Sequence, residues 1–414
     1  MEDLPVRSIL GSLAASVGAS EPALRLLISI LLGYPLALLH RYTLFGKDAV
    51  YLLVGYYYTG TENYDITWSM PHCVLTLRLI GLTFDVYDGH RDESKLSPDQ
   101  KKTALTKVPS LLEIASHTYF FGGFMVGPQF PMRRYIDFID GSFVNKNVDE
   151  LPACLGAGFL RGGAGALYLL LYQVATIFLP DTFIVSDAYM LMPFYKRLLI
   201  LGIWGKIQLY KYISCWLIAE GSCTLTGLTY NGKDDNGNNL WDGCANFKVR
   251  IYEGSTTFAE LIQSFNINTN LWVAQYVFKR LKFLGIKLLS QAAALFFLAA
   301  WHGLHSGYYM CFFLEFTVMK FERDLTLIIE RIPILCKFVH ASAMKPIKWI
   351  FLKIFVVIFM GYCLVPFVFL KRYKWMQVYG SIYYIGHCIY IGWFILSPFV
   401  FKLLKPYFKT EKKD

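Results

Sequence analysis

Residues 288–314, LLSQAAALFFLAAWHGLHSGYYMCFFL, contain no Asp, Glu, Lys or Arg, yet they include two histidines. A helix that crosses a bilayer needs about 20 consecutive apolar residues, and this segment is long enough. An imidazole in hydrocarbon is unfavourable unless its ring nitrogens find partners, so His302 and His305 are candidate functional residues. A structural histidine bonded to a neighbouring helix is an equally good interpretation. The segment therefore predicts a membrane helix and leaves the role of its histidines open.

The composition of the chain supports a membrane protein. Of its 414 residues, 55% are hydrophobic and only 17% are charged, which argues against a water-exposed surface over most of the chain. The net charge of +10 is spread over short loops and the C-terminal tail, so anionic lipid headgroups are better partners than nucleic acid. The nine cysteines form no C-x-x-C pair and predict small buried hydrophobes, not a zinc site or a disulfide framework.

Apolar segments recur along the chain and predict an all-α, multi-pass transmembrane protein with roughly 8–11 membrane segments. The segment 110–130 contains Glu113, His117 and three glycines, so it predicts a broken or re-entrant element. The predicted complete or partial spans are residues 22–44, 49–60, 70–87, 110–130, 152–180, 189–221, the segment around His302, 346–370 and 379–403.

We expect one integral-membrane domain over residues 1–414. It consists of an N-terminal segment 1–21, a membrane core 22–403 and a basic tail 404–414. The N-terminal sequence MEDLPVRSIL lacks the features of a secretory signal, so an internal helix is expected to direct insertion. The basic residues of the tail favour a cytosolic C-terminus.

The two histidines of the opening segment are three positions apart, which on one helix places them on the same face. A metal site would need a further ligand, and Glu315 lies several turns away, so we expect no bound metal. Gly303 and Gly307 would leave the helix surface open to a substrate, although helix packing explains such glycines at least as well.

A second candidate site lies in residues 264–285, SFNINTNLWVAQYVFKRLKFLG. Its closely spaced asparagines favour turns and caps, so Asn266 or Asn268 is expected at the start of a helix, and a simple N-cap is the alternative to a functional role. The basic end of this helix consists of Lys279, Arg280 and Lys282. Such an end suits a membrane interface where it meets phosphates, although ordinary snorkelling is the commoner origin of such a cluster.

Taken in order, FNINTNLW and WHGLHSGYY resemble the membrane-bound O-acyltransferase family, whose two signature residues are an Asn and a downstream His in a membrane segment. They match Asn266 and His302 of this chain. The chain is also similar to the lysophosphatidylcholine acyltransferase branch that uses polyunsaturated acyl-CoA. This similarity extends from about Glu21 to the tail. Besides the two segments named above, it is carried by MPHCVLTLRLIGL, VPSLLEIASHTYFFGGFMVGPQF, LYKYISCWLIAEG, LTGLTYNG and CANFKV.

Two features depart from the family pattern. TLFGKD and VYLLVGYYYTG almost abut, where the family has further hydrophobic sequence between them. The tail EKKD resembles a dilysine retrieval signal for the endoplasmic reticulum but has Glu411 in place of the outer lysine.

The resemblance implies the family fold, in which membrane helices surround an internal catalytic chamber. It implies transfer of a polyunsaturated acyl group from acyl-CoA, a co-substrate and not a bound cofactor, to the sn-2 hydroxyl of lysophosphatidylcholine. Lysophosphatidylethanolamine and lysophosphatidylserine are further expected acceptors. This reaction remodels phospholipids in the Lands cycle at the endoplasmic reticulum membrane. The implied partners are lysophospholipid, long-chain acyl-CoA and membrane lipid, with a homodimer as an open alternative.

Each signature residue acquires a role from the resemblance. His302 would be the general base that removes the proton of the acceptor hydroxyl, a role worth about 10²- to 10⁴-fold in rate. Asn266 would either orient that hydroxyl or stabilise the oxyanion, and these two roles stay open. Direct transfer is favoured over an acyl-enzyme because no Cys or Ser stands at a signature position, and Ser306 is the nearby hydroxyl to exclude.

The remaining candidate residues follow from charge and family position. For the phosphates of CoA they are Lys279, Arg280 and Lys282, then Lys206, Tyr210 and Lys211. For the chamber wall they are Trp301, His305, Gly303 and Gln129.

Two other functions are alternatives to lysophospholipid acylation. In a transporter or channel the histidines would relay protons, but the chain has no internal repeat of the kind that many transporters have. In a protein O-acyltransferase of the same family the acceptor would be a peptide. The segments around Glu113 and Asn266 resemble the lysophospholipid branch and favour a lipid acceptor.

Overall fold

Helices form nearly all the regular structure of residues 69–143 and 153–408, which are the residues that this computed structural model describes. Within these ranges there are 17 α-helices and no β-strand, only two isolated β-bridges. The predicted all-α class is confirmed for them. The predicted segments 22–44 and 49–60, and the last residues of the tail, lie outside the described residues.

The helices follow one another along the chain with short connections. They are α1 (Ser69–Gly89), α2 (Pro98–Thr103), α3 (Leu111–Thr118), α4 (Met132–Ile139), α5 (Leu155–Phe178), α6 (Asp181–Ile184), α7 (Asp187–Met190), α8 (Phe194–Leu225), α9 (Val249–Gly254), α10 (Phe258–Ser264), α11 (Ile267–Val273), α12 (Lys287–His302), α13 (Ser306–Arg331), α14 (Pro333–His340), α15 (Lys345–Phe369), α16 (Arg372–Ser381) and α17 (Ile385–Leu404). After α11 the chain continues as a π-helical segment, Ala274–Phe278, and a 3₁₀ segment, Lys279–Leu284.

Three described segments are long and apolar enough to cross a membrane: Leu155–Phe178, Met344–Phe369 and Ile385–Tyr407. They correspond to three of the predicted spans. The prediction at 379–403 differs in one respect, because the chain turns between α16 and α17, where Tyr383 and Tyr384 have positive φ angles. The total of 8–11 membrane segments and the single domain over 1–414 stay predictions.

The described residues group into two compact units, of which the first contains residues 69–143, 153–154 and 222–244. Within it the predicted broken element at 110–130 is confirmed, since α3 ends at Thr118 and turns follow. Arg78 of α1 is 2% exposed and holds these turns together. Its guanidinium donates hydrogen bonds to the backbone oxygens of His117, Thr118, Gly123 and Pro128 at 2.7–3.2 Å.

The second unit contains Leu155–Gly221 and Ala245–Asp414. Its helix α8 crosses α5 and α15 at glycines, which let two helix backbones approach closely. A Cβ on Gly165 of α5 would lie 2.8 Å from the backbone nitrogen of Ile218 in α8. A Cβ on Gly205 of α8 would meet the backbone of Gly361 in α15, and a Cβ on Gly361 would meet the backbone of Leu201 and Gly202 in α8. These crossings place α8 between the two helices.

Helix α13 packs against α12, α15 and α17 in the same unit. Its closest approach is to the end of α15, where the Gly307 N–H donates a 3.2 Å hydrogen bond to the Leu370 oxygen. A side chain at Gly307 would clash with the Pro366 oxygen. This contact fixes the start of α13 beside the end of α12, where the candidate histidine lies.

Candidate active site

His302 is the last residue of α12, and the chain changes direction immediately after it. Gly303 has φ 133° and ψ −171°, a backbone conformation that is open to glycine and strained for other residues. His305 then precedes α13. The expectation that His302 and His305 share one helical face is therefore wrong, because the glycine between them ends the helix.

Aromatic side chains from two helices surround the His302 ring. Tyr308 and Phe312 of α13 lie 5.6 and 5.5 Å from it between ring centroids, and the Phe312 ring is stacked on it. Phe367 of α15 meets it edge-on at 5.0 Å. The imidazole is half-buried in this aromatic setting, so it retains access for a reactant while its ring orientation is restricted.

The other residues predicted around His302 have different surroundings. His305 meets the Tyr308 ring edge-on at 6.1 Å, and Trp301 lies 6.3 Å from the Phe297 ring. The expectation that Gly307 leaves room for a substrate is wrong, because the end of α15 fills the space beside it. Gly303 adopts the backbone conformation that ends α12. A part for any of them in the chamber wall stays a prediction.

Asn266 immediately precedes α11 and has the left-handed backbone conformation, with φ 51° and ψ 41°. Asparagine tolerates this conformation better than most residues, and non-glycine residues held there are frequent at functional sites. Its side chain makes no capping hydrogen bond to α11. The predicted place at a helix start is therefore confirmed, and Asn266 is the N-cap residue by position, but its amide does not form the capping hydrogen bond.

The first two N–H groups of α11 donate instead to Asn246, a residue that the sequence did not single out. The Ile267 N–H donates to the Asn246 backbone oxygen at 3.1 Å, and the Asn268 N–H donates to Asn246 Oδ1 at 2.9 Å. The sequence signal for Asn246 was its place in the family-like segment CANFKV, which carries no indication of a contact with Ile267 or Asn268.

A series of ring contacts within the second unit leads from Phe265, the residue before Asn266, to His302. Phe265, next to Asn266, lies 4.8 Å from Trp216 of α8. Between ring centroids, Trp216 lies 6.3 Å from Tyr212, and Tyr212 lies 6.4 Å from Phe367, whose ring contacts that of His302. The ring of Phe265, the residue before Asn266, is therefore connected to that of His302 through three aromatic side chains of α8 and α15.

The first group of predicted CoA-binding residues lies on the 3₁₀ segment after α11. Lys279 and Lys282 are exposed, whereas Arg280 is half-buried. The segment packs against α12, the helix that ends at His302. Phosphate binding by these side chains stays a prediction.

The second group is already engaged within the protein. The Lys206 ammonium lies 2.6 Å from Glu253 Oε2, and the Tyr168 hydroxyl donates to Glu253 Oε1 at 2.9 Å. The Tyr210 ring meets that of Tyr168 edge-on at 4.9 Å. Lys211 lies over the Tyr212 ring at 5.0 Å. Because Glu253 neutralises Lys206, the first group fits CoA phosphates better.

Gln129 lies in the first unit, between α3 and α4. Its Oε1 is buried and accepts no hydrogen bond in the described part of the chain. A buried amide oxygen without a donor is unfavourable, which fits a residue whose partner is a ligand. Its place in the chamber wall stays a prediction.

Among residues 69–143 and 153–408, no three His, Cys, Asp or Glu side chains cluster as they would around a metal ion. The cysteines in these ranges are free thiols.

The chain matches the sequence model of the membrane-bound O-acyltransferase family over residues 53–365. It is 41% identical to lysophospholipid acyltransferase 5 of Rattus norvegicus, over 98% of this chain and 94% of that protein. The protein of the same name from Drosophila melanogaster is 42% identical over 95% of this chain and 90% of its own length. The one from Caenorhabditis elegans is 33% identical over 96% of both chains.

Proposed function

The chain belongs to the membrane-bound O-acyltransferase family, and on this premise we propose that it acylates lysophospholipids with fatty acyl groups from acyl-CoA. The names of its relatives support lysophospholipid as the acceptor. The proposed donor is a polyunsaturated acyl-CoA, and the proposed acceptor group is the sn-2 hydroxyl of lysophosphatidylcholine, lysophosphatidylethanolamine or lysophosphatidylserine. The reaction would remodel membrane phospholipids.

The observation that carries this proposal is the setting of His302. Its ring is held by Tyr308, Phe312 and Phe367, and the break at Gly303 leaves it at a helix end. An alcohol is a poor nucleophile at neutral pH and needs a base within hydrogen-bond distance. We assign that role to His302, which would accept the hydroxyl proton as the oxygen attacks the thioester carbon.

The proposed reaction is a direct transfer in which each atom has a destination. A C–O ester bond forms as the C–S bond of the thioester breaks, and the proton held by His302 passes to the departing CoA thiolate. Asn266 has an amide that does not cap α11, so it is available to donate a hydrogen bond to the oxyanion or to orient the acceptor. Both roles require an oriented amide.

Acyl-CoA is the proposed co-substrate, and its phosphates would meet Lys279, Arg280 and Lys282. These residues follow directly on the segment that begins at Asn266, so the donor would lie along one continuous stretch of chain. The proposed location is the endoplasmic reticulum membrane with a cytosolic C-terminus, the side from which CoA is supplied. A homodimer is a further proposal.

The decisive experiment is acyl transfer by the purified protein. It combines labelled arachidonoyl-CoA with a panel of lysophospholipids and peptides, using His302→Ala and His302→Gln as test variants. We expect labelled phospholipid from the parent protein and a loss of turnover of about 10²-fold or more in both variants, with unchanged gel-filtration behaviour. A folded His302→Ala protein with normal turnover would refute the base, whereas labelled peptide without labelled lipid would refute the acceptor.

A further inference from the structure

Asn246 performs the capping that the residue before a helix normally performs. It is 3% exposed, and its backbone oxygen and Oδ1 accept the N–H groups of Ile267 and Asn268, the first two residues of α11. The first N–H groups of a helix have no partner within it, and a preceding Asn, Ser, Thr or Asp side chain usually accepts one of them. Here Asn266 precedes the helix, but Asn246 accepts these N–H groups in its place.

The backbone on both sides of Asn266 is held as well. Asn270 Nδ2 donates to the Phe265 oxygen at 3.0 Å, and the Asn270 N–H donates to the Asn266 oxygen at 3.0 Å. These hydrogen bonds hold the main chain of Asn266 and its neighbours, and none of them involves the Asn266 side-chain amide. A left-handed asparagine is strained, and it persists where its surroundings over-determine the backbone.

Asn246 is itself anchored to helices α8 and α5. Its N–H lies 3.4 Å from Glu220 Oε2 on α8. Glu220 is fully buried and forms an ion pair with Arg161 of α5, with 2.9 Å between Nε and Oε1. A single β-bridge joins Phe247 and Phe265, so the chain after Asn246 runs antiparallel to the chain before Asn266.

From these contacts we infer that Asn246 is a positioning residue for the reaction: by capping α11 in place of Asn266, it frees and aims the Asn266 amide at the reacting atoms. This inference rests on the proposed acyltransferase function. The path of support runs from the ion pair between α5 and α8, through Asn246, to the start of α11. Asn246 does not touch substrate.

A purely stabilising cap and a positioning residue differ in what their loss changes. Loss of a stabilising bond lowers the amount of folded protein and leaves turnover per folded molecule unchanged. Loss of a positioning bond lowers kcat, because a displacement of about 1 Å at a reacting group can reduce the rate about 10²-fold. The Michaelis constant for acyl-CoA should not change, since the donor's phosphates would bind residues beyond α11.

The test compares two variants of nearly equal size. Asn246→Leu removes the acceptor oxygen, and Asn246→Asp keeps an oxygen in its place. We expect Asn246→Leu to lower kcat by about 10- to 100-fold with an unchanged Michaelis constant for acyl-CoA, and Asn246→Asp to restore most of kcat. Turnover is measured per monodisperse protein, and Asn246→Ala replaces Asn246→Leu if the latter does not yield monodisperse protein.

Ser255→Ala is the matched control. Ser255 is 1% exposed, and its hydroxyl donates to the Tyr252 oxygen, so the variant also loses one buried hydrogen bond but at a distance from Asn266 in sequence. We expect its kcat to equal that of the parent protein. An Asn246→Leu protein with parental kcat, or a Ser255→Ala protein with an equal loss, overturns the inference.

A double variant separates this inference from the proposed function. If Asn246 acts only through Asn266, then Asn246→Leu combined with Asn266→Gly turns over no more slowly than Asn266→Gly alone, since the amide to be positioned is gone. Losses that multiply would show an independent role and overturn the inference. Parental turnover by Asn266→Gly would instead refute the proposed role of Asn266 itself.

Discussion

The two residues at the centre of the proposed reaction owe their settings to neighbours that carry no chemistry. Gly303 ends α12 directly after His302 because it adopts a φ of 133°, and aromatic rings then fix the imidazole. Asn266 keeps its amide free because Asn246 caps the helix that follows. At this scale, function depends on backbone conformations at single positions.

Asn266→Gly isolates the amide from the backbone. Glycine adopts a φ of 51° without strain, so the fold should be retained while the amide is lost. We expect kcat to fall about 10²- to 10³-fold, with a melting temperature close to that of the parent protein. Turnover and thermal unfolding in detergent check this, with Asn266→Val as the companion variant, in which the strained backbone should also lower the melting temperature.

The sequence located these residues but not their geometry. The order of FNINTNLW and WHGLHSGYY identified Asn266 and His302 through family resemblance, whereas periodicity alone placed His305 on the same helical face as His302. That was wrong because one glycine conformation redirects the chain. Asn246 could not be found at all, since its contacts with Glu220, Ile267 and Asn268 join distant parts of the chain and depend on tertiary structure.

Helix crossings at small residues set the arrangement of the elements. Gly165 and Gly361 lie where α5 and α15 meet α8, and Gly307 lies where α13 meets the end of α15. The sequence predicted most of these helices closely, because long apolar segments have a strong signal. It did not predict which glycines mediate contacts, since the sequence does not distinguish a glycine at a helix crossing from one on an open helix face.

Gly307→Ala should separate α13 from α15. The added methyl group meets backbone at Pro366, which cannot move aside as a flexible side chain can, so we expect a destabilisation of about 1–3 kcal/mol and reduced turnover. Gly392→Ala on α17 is the control, because nothing lies within 4 Å of its added atom. Thermal unfolding of both variants in the same detergent checks the prediction, and equal melting temperatures would contradict the packing role.

The 3₁₀ segment that follows α11 is expected to bind the phosphates of acyl-CoA. Reversing its charge with Lys279→Glu and Arg280→Glu should raise the Michaelis constant for acyl-CoA, because like charges repel, and should leave that for the lysophospholipid unchanged. Steady-state kinetics at two salt concentrations measure this. Lys206→Gln is the comparison, since Glu253 already neutralises that ammonium. No change in the charge-reversed protein would remove the segment from the donor site.

At the scale of the whole molecule, an apolar helical body with a net charge of +10 matches a lipid environment. Three described segments are able to cross the bilayer, and the family is one of membrane enzymes. Fold class was therefore predictable from composition together with the recurring apolar segments, because segments of about 20 apolar residues form membrane helices. The orientation of the chain in the membrane depends on a smaller signal, the distribution of Lys and Arg.

A C-terminal epitope tag tests that orientation. Basic residues near the end of the last helix favour the cytosolic side, so protease added to sealed microsomes should remove the tag. A tag on a luminal marker protein serves as the control and should survive until detergent is added. Protection of the C-terminal tag in sealed vesicles would contradict the proposed orientation.

The π-helical segment Ala274–Phe278 has a consequence for how this enzyme tolerates change in length. A π turn contains about one residue more than an α turn, and each helical residue advances by about 100° around the axis. Removing one residue here would let the segment relax to α-helix. Because a π turn with its extra residue completes nearly the same rotation as an α turn without it, Lys279 and Arg280 would keep nearly the same angular position relative to Asn266. The segment thus accommodates one extra residue between the amide at one end and the basic side chains at the other, and a single deletion should be tolerated better here than in the α-helical turns beside it.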